Sequence, residues 1–388
     1  MRLAKRISGI TPSATLDITS KAKRMAREGI DVVSFGAGEP DFDTPSHIKA
    51  AAIKAINEGF TKYTPSSGTP EIREAISRKF KKDNELNYSP SQIVVSCGAK
   101  HSLYNIFQAI CERADEVIIP SPYWLSYPEM VRMAEAKPVY VETSASDNFK
   151  MTESGLSAAI TEKTKALVLN SPSNPTGCVY DREELEYISN LALRHEFFVI
   201  SDEIYEKLIY DGRKHISIAS LGGRIYDWTI TVNGVSKSYS MTGWRIGYAA
   251  GPEDVMNAIA NFQSHATSNP ASISQKAALA ALAEDQRCVE EMRLEFEKRR
   301  DFMVTRLARI KKLACVKPAG AFYVFCDISK LKLDSVKVAT RLLDEAKVAV
   351  VPGEPFGART YIRLSFATSM KNIEKGLDRI EEWIGKNG

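Results

Sequence analysis

The sequence has few cysteines and histidines, and neither type is arranged as in a disulfide framework or a metal site. Six cysteines and five histidines are scattered over 388 residues, without a C-x-x-C or H-E-x-x-H pattern. We therefore expect buried, apolar cysteines and no bound metal.

Long apolar runs and charge blocks are also missing. No stretch approaches the 18 to 20 or so apolar residues of a membrane-spanning helix, and the start, MRLAKRISGITPSATLD, lacks the apolar core of a secretory signal. Lys and Arg (52) nearly balance Asp and Glu (48), so no nucleic-acid or membrane footprint is apparent. We expect a cytoplasmic protein that acts on small molecules.

Short apolar, β-branched runs alternate with amphipathic stretches, which predicts an α/β fold with a mostly parallel sheet covered by helices. Helical patterns begin at residues 70, 181 and 253. From about residue 290, a long charged helix, short strands and a final helix ending near Trp383 predict a smaller α+β module that packs with the N-terminal segment. The predicted strands are 31–35, 93–97, 116–120, 166–170, 197–201, 229–233 and 246–250.

Chemically unusual residues follow these strands. Ligands of open α/β sheets bind beyond the carboxyl ends of the strands, where helix N-termini present free N–H groups. Asp202 closes one apolar run, Lys237 and Arg245 follow another, and Asn174 lies in the loop NSPSNPTG. The sequence therefore predicts a ligand site at this edge.

These residue types match one cofactor. A lysine beside hydroxyls and another cation should have a depressed pKa and form a Schiff base with an aldehyde. An arginine and a helix N-terminus can hold a phosphate, and a buried carboxylate can keep a pyridinium nitrogen protonated. Together they indicate pyridoxal 5'-phosphate, although each residue alone also fits an ordinary structural role.

The sequence resembles the class I, fold-type I pyridoxal-phosphate aminotransferases, in particular the bacterial-type aspartate aminotransferase subgroup, over essentially the whole chain. The resemblance implies a seven-stranded, mostly parallel sheet, a smaller α+β domain and a homodimer. It also implies an N-terminal arm at 1–45, a cofactor-binding domain at 46–290 and a C-terminal domain at 291–388. The matching blocks include AGEPDFDTP, KYTPSSGTPEIREAI, SPYWLSYPEM, NSPSNPTG, SDEIYE, SKSYSMTGWRIGY, GAFYVF and IRLSFATS.

The resemblance also assigns site residues. Lys237 forms the Schiff base and moves the substrate proton, Asp202 pairs with the ring nitrogen, and Tyr205 and Asn174 bond the phenolic oxygen. Trp124 stacks on the ring. The phosphate-cup neighbourhood comprises Gly98, Ala99, Lys100, Ser236 and Arg245, with Tyr63 reaching in from the other subunit.

The implied substrates are an amino acid and a 2-oxo acid. Arg363 takes the α-carboxylate with the backbone of Gly38, beside Trp124 and Asn174. Lys100 resembles the residue proposed to meet the distal carboxylate of aspartate or glutamate, with Ser13 and Thr15 nearby. Related sequences often carry Lys where this one has Thr11, which weakens a claim to larger dicarboxylates such as prephenate.

Alternatives remain open at this point. A broader specificity for aromatic substrates or prephenate, a β-lyase or a decarboxylase would use the same cofactor cradle. The stretch FGAGEPD superficially matches a dinucleotide-binding fingerprint, but Pro40 and Pro45 prevent the helix that must follow. A transcription regulator with an aminotransferase-like domain is disfavoured, because only about 30 residues precede the first strand and they include no basic recognition helix.

Overall fold

The computed structural model describes residues 14–387. Ser13 and the side chain of Thr15, both expected near the substrate, lie outside the described residues. Thirteen strands occur in the described part of the chain: β1 Val33–Ser34, β2 Ile93–Ser96, β3 Glu116–Ser121, β4 Lys137–Glu142, β5 Thr164–Asn170, β6 Phe198–Asp202, β7 Thr229–Gly234, β8 Gly247–Ala250, β9 Ala314–Cys315, β10 Tyr323–Asp327, β11 Val348–Ala349, β12 Val351–Pro352 and β13 Tyr361–Ser365.

The same residues form twelve α-helices, and the predicted helical patterns are among them. Short 3₁₀ turns occur between several elements. None of the helices within 14–387 combines the length and apolar character needed to cross a membrane. The helices are α1 Ala14–Arg27, α2 Ser46–Asn57, α3 Pro70–Asn84, α4 Ala99–Ile110, α5 Ser126–Met133, α6 Glu153–Ala159, α7 Arg182–His195, α8 Glu253–Ala266, α9 Ser272–Ala283, α10 Arg287–Leu307, α11 Ser335–Ala346 and α12 Met370–Asn387.

Local sequence signals explain where two predicted helices begin. The side chain of Thr69 accepts a hydrogen bond from the N–H of Ile72 at the start of α3, and Pro70 occupies the first helical position. Asp181 and Glu184 form a reciprocal capping box at the start of α7. Both caps satisfy N–H groups that a helix start leaves without partners.

The large sheet has seven strands in the order β2-β8-β7-β6-β5-β3-β4, and only β8 runs antiparallel to its neighbours. The predicted seven-stranded, mostly parallel sheet is therefore confirmed. Because β8 is reversed, its first residue lies at the edge where the parallel strands end. Arg245, two residues before β8, is thereby brought to the edge that also carries Asp202.

One predicted strand belongs elsewhere, and one was missed. Residues 31–35 do not join the large sheet, because β1 pairs in parallel with β11 in a separate two-stranded sheet. The seventh strand of the large sheet is β4, which pairs only with β3. Its sequence, KPVYVE, lacks a continuous apolar run and contains Pro138, both of which suit an edge strand.

The C-terminal part builds a second, smaller sheet in the order β12-β13-β10-β9. Side chains of α10, α11 and α12 pack against it in one apolar core, which also includes Tyr205 and Leu208 beside the large sheet. The pairing of β1 with β11 joins the N-terminal segment to this part. This packing supports the predicted division at residues 45 and 290, which stays a prediction.

Helix α12 offers a matched test of this packing. A methyl group at Gly376 would overlap the ring of Phe35, whereas one at Gly385, on the same helix, meets nothing within 4 Å. We expect Gly376→Ala to lower the free energy of unfolding by about 1 to 3 kcal/mol through overpacking. Gly385→Ala should raise it by roughly 0.5 to 1 kcal/mol. Denaturant unfolding measures both, and equal effects would contradict the packing described.

Candidate active site

A cavity of about 270 Å³ opens at the carboxyl edge of the large sheet. Strand register explains its position, because Asn170 at the end of β5 lies beside Asp202 at the end of β6. Eleven of the residues predicted from the sequence line this cavity: Gly38, Ala99, Lys100, Trp124, Asn174, Asp202, Tyr205, Ser236, Lys237, Arg245 and Arg363.

The buried acid of the site is Asp202, which is only 3% exposed. Tyr127 donates a hydrogen bond to its Oδ2 at 2.6 Å, and the N–H of Ile204 donates to Oδ1 at 3.2 Å. Burial raises the pKa of Asp202 to about 6, although these two hydrogen bonds act to lower it. The carboxyl group thus lies in the cavity without a full counter-charge from the described residues.

The candidate nucleophile is Lys237, which follows β7 by three residues. Its Nζ donates to the carbonyl oxygen of Gly38 at 2.6 Å. The pKa of Lys237 is lowered to about 8, mainly by burial and also by Arg245 and Arg363, against the opposing effects of Glu39 and Asp202. The depressed pKa expected from the sequence is present, with burial rather than neighbouring cations as its main cause.

An anion cradle forms where β2 turns into α4. Gly98 has a φ of +91°, and a Cβ there would overlap the guanidinium group of Arg245. Arg245 donates to the carbonyl oxygens of Thr242 at 2.9 Å and Cys97 at 3.4 Å. The first N–H groups of α4 have no partner inside the helix. This helix start, the guanidinium group and the buried Ser236 together suit a phosphate.

A second anion site surrounds Arg363 on β13, which is 2% exposed. Its guanidinium group donates to Oδ1 of Asn174 at 2.9 Å and to the carbonyl oxygen of Gly36 at 3.4 Å, and lies 4.2 Å from the ring centre of Tyr323. Among residues 14–387, no carboxylate forms an ion pair with it, and its Nε has no hydrogen-bond partner. Such a buried cation calls for an anionic ligand.

Lys100 and Trp124 lie together on one wall of the cavity. Nζ of Lys100 is 4.9 Å from the ring centre of Trp124, and burial lowers the pKa of Lys100, with a smaller contribution from Arg245. The indole ring meets Tyr127 edge to face at 5.2 Å. The wall thus presents an aromatic face and a cation toward the interior of the cavity.

Two predicted residues stand apart from the cavity lining. Gly98 lies behind it, against Arg245. Tyr63 is 91% exposed and contributes nothing to the cavity of its own chain. The expectation that Tyr63 reaches another subunit stays a prediction.

Sequence reasoning also missed site residues. Tyr127 holds Asp202, and the hydroxyl groups of Tyr205 and Tyr323 lie 2.9 Å apart. Asn170 donates to the carbonyl oxygen of Asp202 and accepts from the N–H of Asn174. The three missed residues, Tyr127, Tyr323 and Asn170, lie in blocks that carried the resemblance. An aromatic or amide side chain there gave no separate sign of a ligand contact.

An amine of lowered pKa, a buried carboxyl group and an anion cradle around one cavity are the groups that define a pyridoxal-phosphate-dependent enzyme. A family model for aminotransferase class I and II matches residues 30–380. The chain belongs to this aminotransferase family, whose members use pyridoxal 5'-phosphate.

The similarity to known proteins spans the whole chain. An aspartate aminotransferase of Bacillus subtilis (strain 168) is 52% identical over 392 residues, which cover 100% of both chains. An aspartate/prephenate aminotransferase of Thermus thermophilus is 47% identical over 388 residues and 99% of each chain. A solved structure of Thermus thermophilus aspartate aminotransferase with maleate, also 47% identical, matches with a TM-score of 0.95 over 98% of this chain and 100% of that one.

The raised pKa of Asp202 predicts a measurable effect on the cofactor-free protein. The folded pKa of about 6 lies above the ordinary value of 3.8, so the folded state binds the extra proton and stability falls as pH rises between these values. We expect Asp202→Asn to remove this loss, amounting to at most about 3 kcal/mol at pH 8.

Denaturant unfolding at pH 4 and pH 8 measures this effect. The free energy of unfolding of Asp202→Asn, relative to that of the parent, should be higher at pH 8 than at pH 4. Equal differences at the two pH values would contradict a raised pKa for this carboxyl group.

Proposed function

We propose that this chain is an aspartate aminotransferase, which transfers the amino group of L-aspartate or L-glutamate to a 2-oxo acid such as 2-oxoglutarate. The observation that carries the proposal is that one cavity brings together Lys237, Asp202, Arg245 and Arg363. Relatives at about 50% identity over the full length carry the same activity in their names.

The bound cofactor supplies an aldehyde that condenses with amines and a ring that withdraws electrons from the α-carbon of the substrate. Asp202 would hold a proton on the ring nitrogen of the cofactor, and hydrogen bonds from Tyr127 and the N–H of Ile204 keep its carboxylate oriented. Tyr205 would donate to the phenolic oxygen of the cofactor. Asn174 accepts from Arg363 through Oδ1, so its amide nitrogen would be the group that donates to the same oxygen.

Lys237 moves the proton. Its amine would accept the α-proton of a bound amino acid and later give the proton back. A pKa near 8 leaves part of the amine neutral at neutral pH, which a general base requires.

Arg363 selects the bond that breaks. Its guanidinium group takes the α-carboxylate as a two-pronged hydrogen-bond donor, in place of the weaker contact with the carbonyl oxygen of Gly36. With the carboxylate fixed by Arg363, the α-hydrogen would be the group presented for removal by Lys237. This geometry favours loss of the proton over decarboxylation.

Lys100 is the proposed contact for the distal carboxylate. It lines the same cavity as Arg363, and the related Thermus thermophilus structure contains the dicarboxylate maleate. Ser13 and Thr15 keep their predicted place near this carboxylate as part of the proposal. Prephenate is a second candidate acceptor, because relatives at 45 to 49% identity are named aspartate/prephenate aminotransferases.

A homodimer completes the proposed cofactor site. Tyr63 does not line the cavity of its own chain, and 91% of its surface is exposed. We infer that its hydroxyl group reaches the phosphate of the second subunit. The cytoplasmic location expected from the sequence stays a prediction.

The first test of this proposal is chemical trapping. Borohydride reduction of the cofactor-loaded protein should attach the cofactor to Lys237, as located by peptide mass spectrometry. Because the pKa of Lys237 is about 8, the rate at which the cofactor-free protein captures the aldehyde should rise with pH through that value. Attachment to another lysine, or a midpoint near the ordinary lysine pKa, would contradict the assignment.

Two substitutions separate the carboxylate contacts. Arg363→Ala should lower kcat/KM at least about a hundredfold for every amino donor, because it removes a charged two-pronged contact. Lys100→Ala should penalise aspartate and glutamate at least tenfold more than alanine. Steady-state assays with these donors, and with prephenate as acceptor, measure both effects. Equal losses of kcat/KM for aspartate and alanine in Lys100→Ala would show that Lys100 does not select the substrate.

The same protein can be tested for the alternative reaction. Release of pyruvate and ammonia from cysteine conjugates would indicate a lyase.

A further inference from the structure

A buried polar cluster lies directly behind the cavity and takes no part in the proposed chemistry. It joins α3 to the turn 203–208, which follows β6. We call it the α3 clamp, and it consists of Lys79, Asn84, Glu203, Glu206 and His215. The two glutamates and His215 place their polar atoms within 4.8 Å of one another.

Helix α3 holds the turn through three contacts. Lys79 forms an ion pair with Oε1 of Glu206, and both side chains are at most 5% exposed. Nδ2 of Asn84 donates to Oε2 of Glu206 at 2.7 Å and lies 3.3 Å from Oε2 of Glu203. Nζ of Lys79 also donates to Oδ1 of Asn84 at 2.7 Å, so the contacts form one connected network.

Glu203 anchors the other side of the turn. Ser201 and Ser217 donate to its Oε1 at 2.9 and 2.7 Å, and Nε2 of His215 lies 2.9 Å from its Oε2. The ammonium group of Lys79 and the amide group of Asn84 already occupy the carboxylate oxygens that a metal ion would need. The cluster is therefore better explained as a clamp than as a cation site.

The end of β6 and the turn that follows it carry both cavity residues and clamp residues. Asp202 and Tyr205 line the cavity, whereas Glu203 and Glu206 point into the clamp. The N–H of Glu203 bonds the carbonyl oxygen of Val232 at 2.9 Å, and the N–H of Glu206 bonds that of Glu203 at 2.9 Å. In so short a turn, a shift of either glutamate moves the neighbouring cavity residue.

We propose that the α3 clamp positions Asp202 and Tyr205 against the cofactor ring, with Lys79 and Glu206 as positioning residues. This inference rests on the proposed function. A buried ion pair often stabilises a fold no better than apolar residues of similar size, so the role assigned to this pair is placement. Asp83 keeps Lys207 as a partner at 2.8 Å when Lys79 is replaced, so the replacement strands no charge there.

The test compares two double variants with the parent. Lys79→Met with Glu206→Leu removes the charges and all clamp contacts of Glu206. Lys79→Met with Glu206→Gln removes the charges but keeps an acceptor for Asn84. The measurements are thermal unfolding, the dissociation constant of pyridoxal phosphate from the cofactor-free protein, and kcat and KM for aspartate.

A matched control removes an ion pair that has no contact with the α3 clamp. Lys150 and Glu184 are 2.6 Å apart, with side chains 15% and 22% exposed. Lys150→Met with Glu184→Gln keeps a suitable residue in the capping box of α7 and should leave cofactor affinity within about threefold of the parent.

We expect the double variant with Glu206→Leu (the Leu variant) to bind the cofactor at least about tenfold more weakly than the parent. Its kcat should fall, because misplacement of a reacting group by 1 Å can cost about a hundredfold in rate. Its KM for aspartate should change less than threefold, because Arg363 is untouched. The Gln variant should regain most of the affinity. A folded Leu variant with parental affinity and kcat would overturn the inference.

Two further outcomes are decisive. If the Leu variant does not unfold cooperatively, Asn84→Ala is tested in its place. It should weaken cofactor binding at least threefold, and a smaller effect would refute the inference. A parent protein that binds no pyridoxal phosphate would refute the proposed function itself, whereas a binding parent with unaffected variants refutes only the clamp.

Discussion

The structure depends on charges that lie largely out of water without partners of opposite charge. Among the described residues, Asp202, Lys237 and Arg363 take part in no ion pair. Burying such groups costs free energy, and the pKa values record this cost: that of Asp202 is raised to about 6, and that of Lys237 is lowered to about 8. A ligand with complementary charges offsets the cost, and pyridoxal phosphate with an amino acid carries them: a ring cation, a phosphate and a carboxylate.

Strands of both sheets hold these charged residues around the cavity. Parallel strands β5 to β7 end at one edge and deliver Asp202 and Lys237 to it. The reversed strand β8 brings Arg245 to the same edge, against Gly98. Strand β13 of the small sheet supplies Arg363 from the opposite side, so the site needs both sheets. Behind this edge, the α3 clamp ties the Asp202 turn to a helix.

Periodicity and residue type were sufficient to predict much of this arrangement. Apolar runs such as ALVLN gave the central strands, and a proline with acidic residues located the start of α3. The edge strand β4 was not predicted because its apolar stretch is only three residues long and follows Pro138. Strand β1 was misplaced because a short apolar run does not reveal its pairing partner. Long-range pairing depends on tertiary contacts that a local pattern does not contain.

The same limit applies to the site. The sequence pointed to Lys237 and Asp202, because charged side chains beside apolar runs are chemically unusual, whereas Arg363 was assigned through the family resemblance. It gave no sign that Tyr127 donates to Asp202, that Tyr323 packs on the guanidinium group of Arg363, or that Glu203 and Glu206 face away from the cavity. Each of these depends on which face of a turn or helix a side chain occupies after folding.

The most direct test is a single turnover of the cofactor-loaded protein with deuterium at the α-carbon of L-aspartate and no 2-oxo acid present. We expect one equivalent of oxaloacetate per subunit, retention of the amino group on the cofactor, and a slower turnover than with unlabelled aspartate. Lys237→Ala should abolish this turnover. Release of carbon dioxide from the α-carboxylate, or an unchanged turnover in the Lys237 variant, would show that Lys237 and Arg363 do not act as proposed.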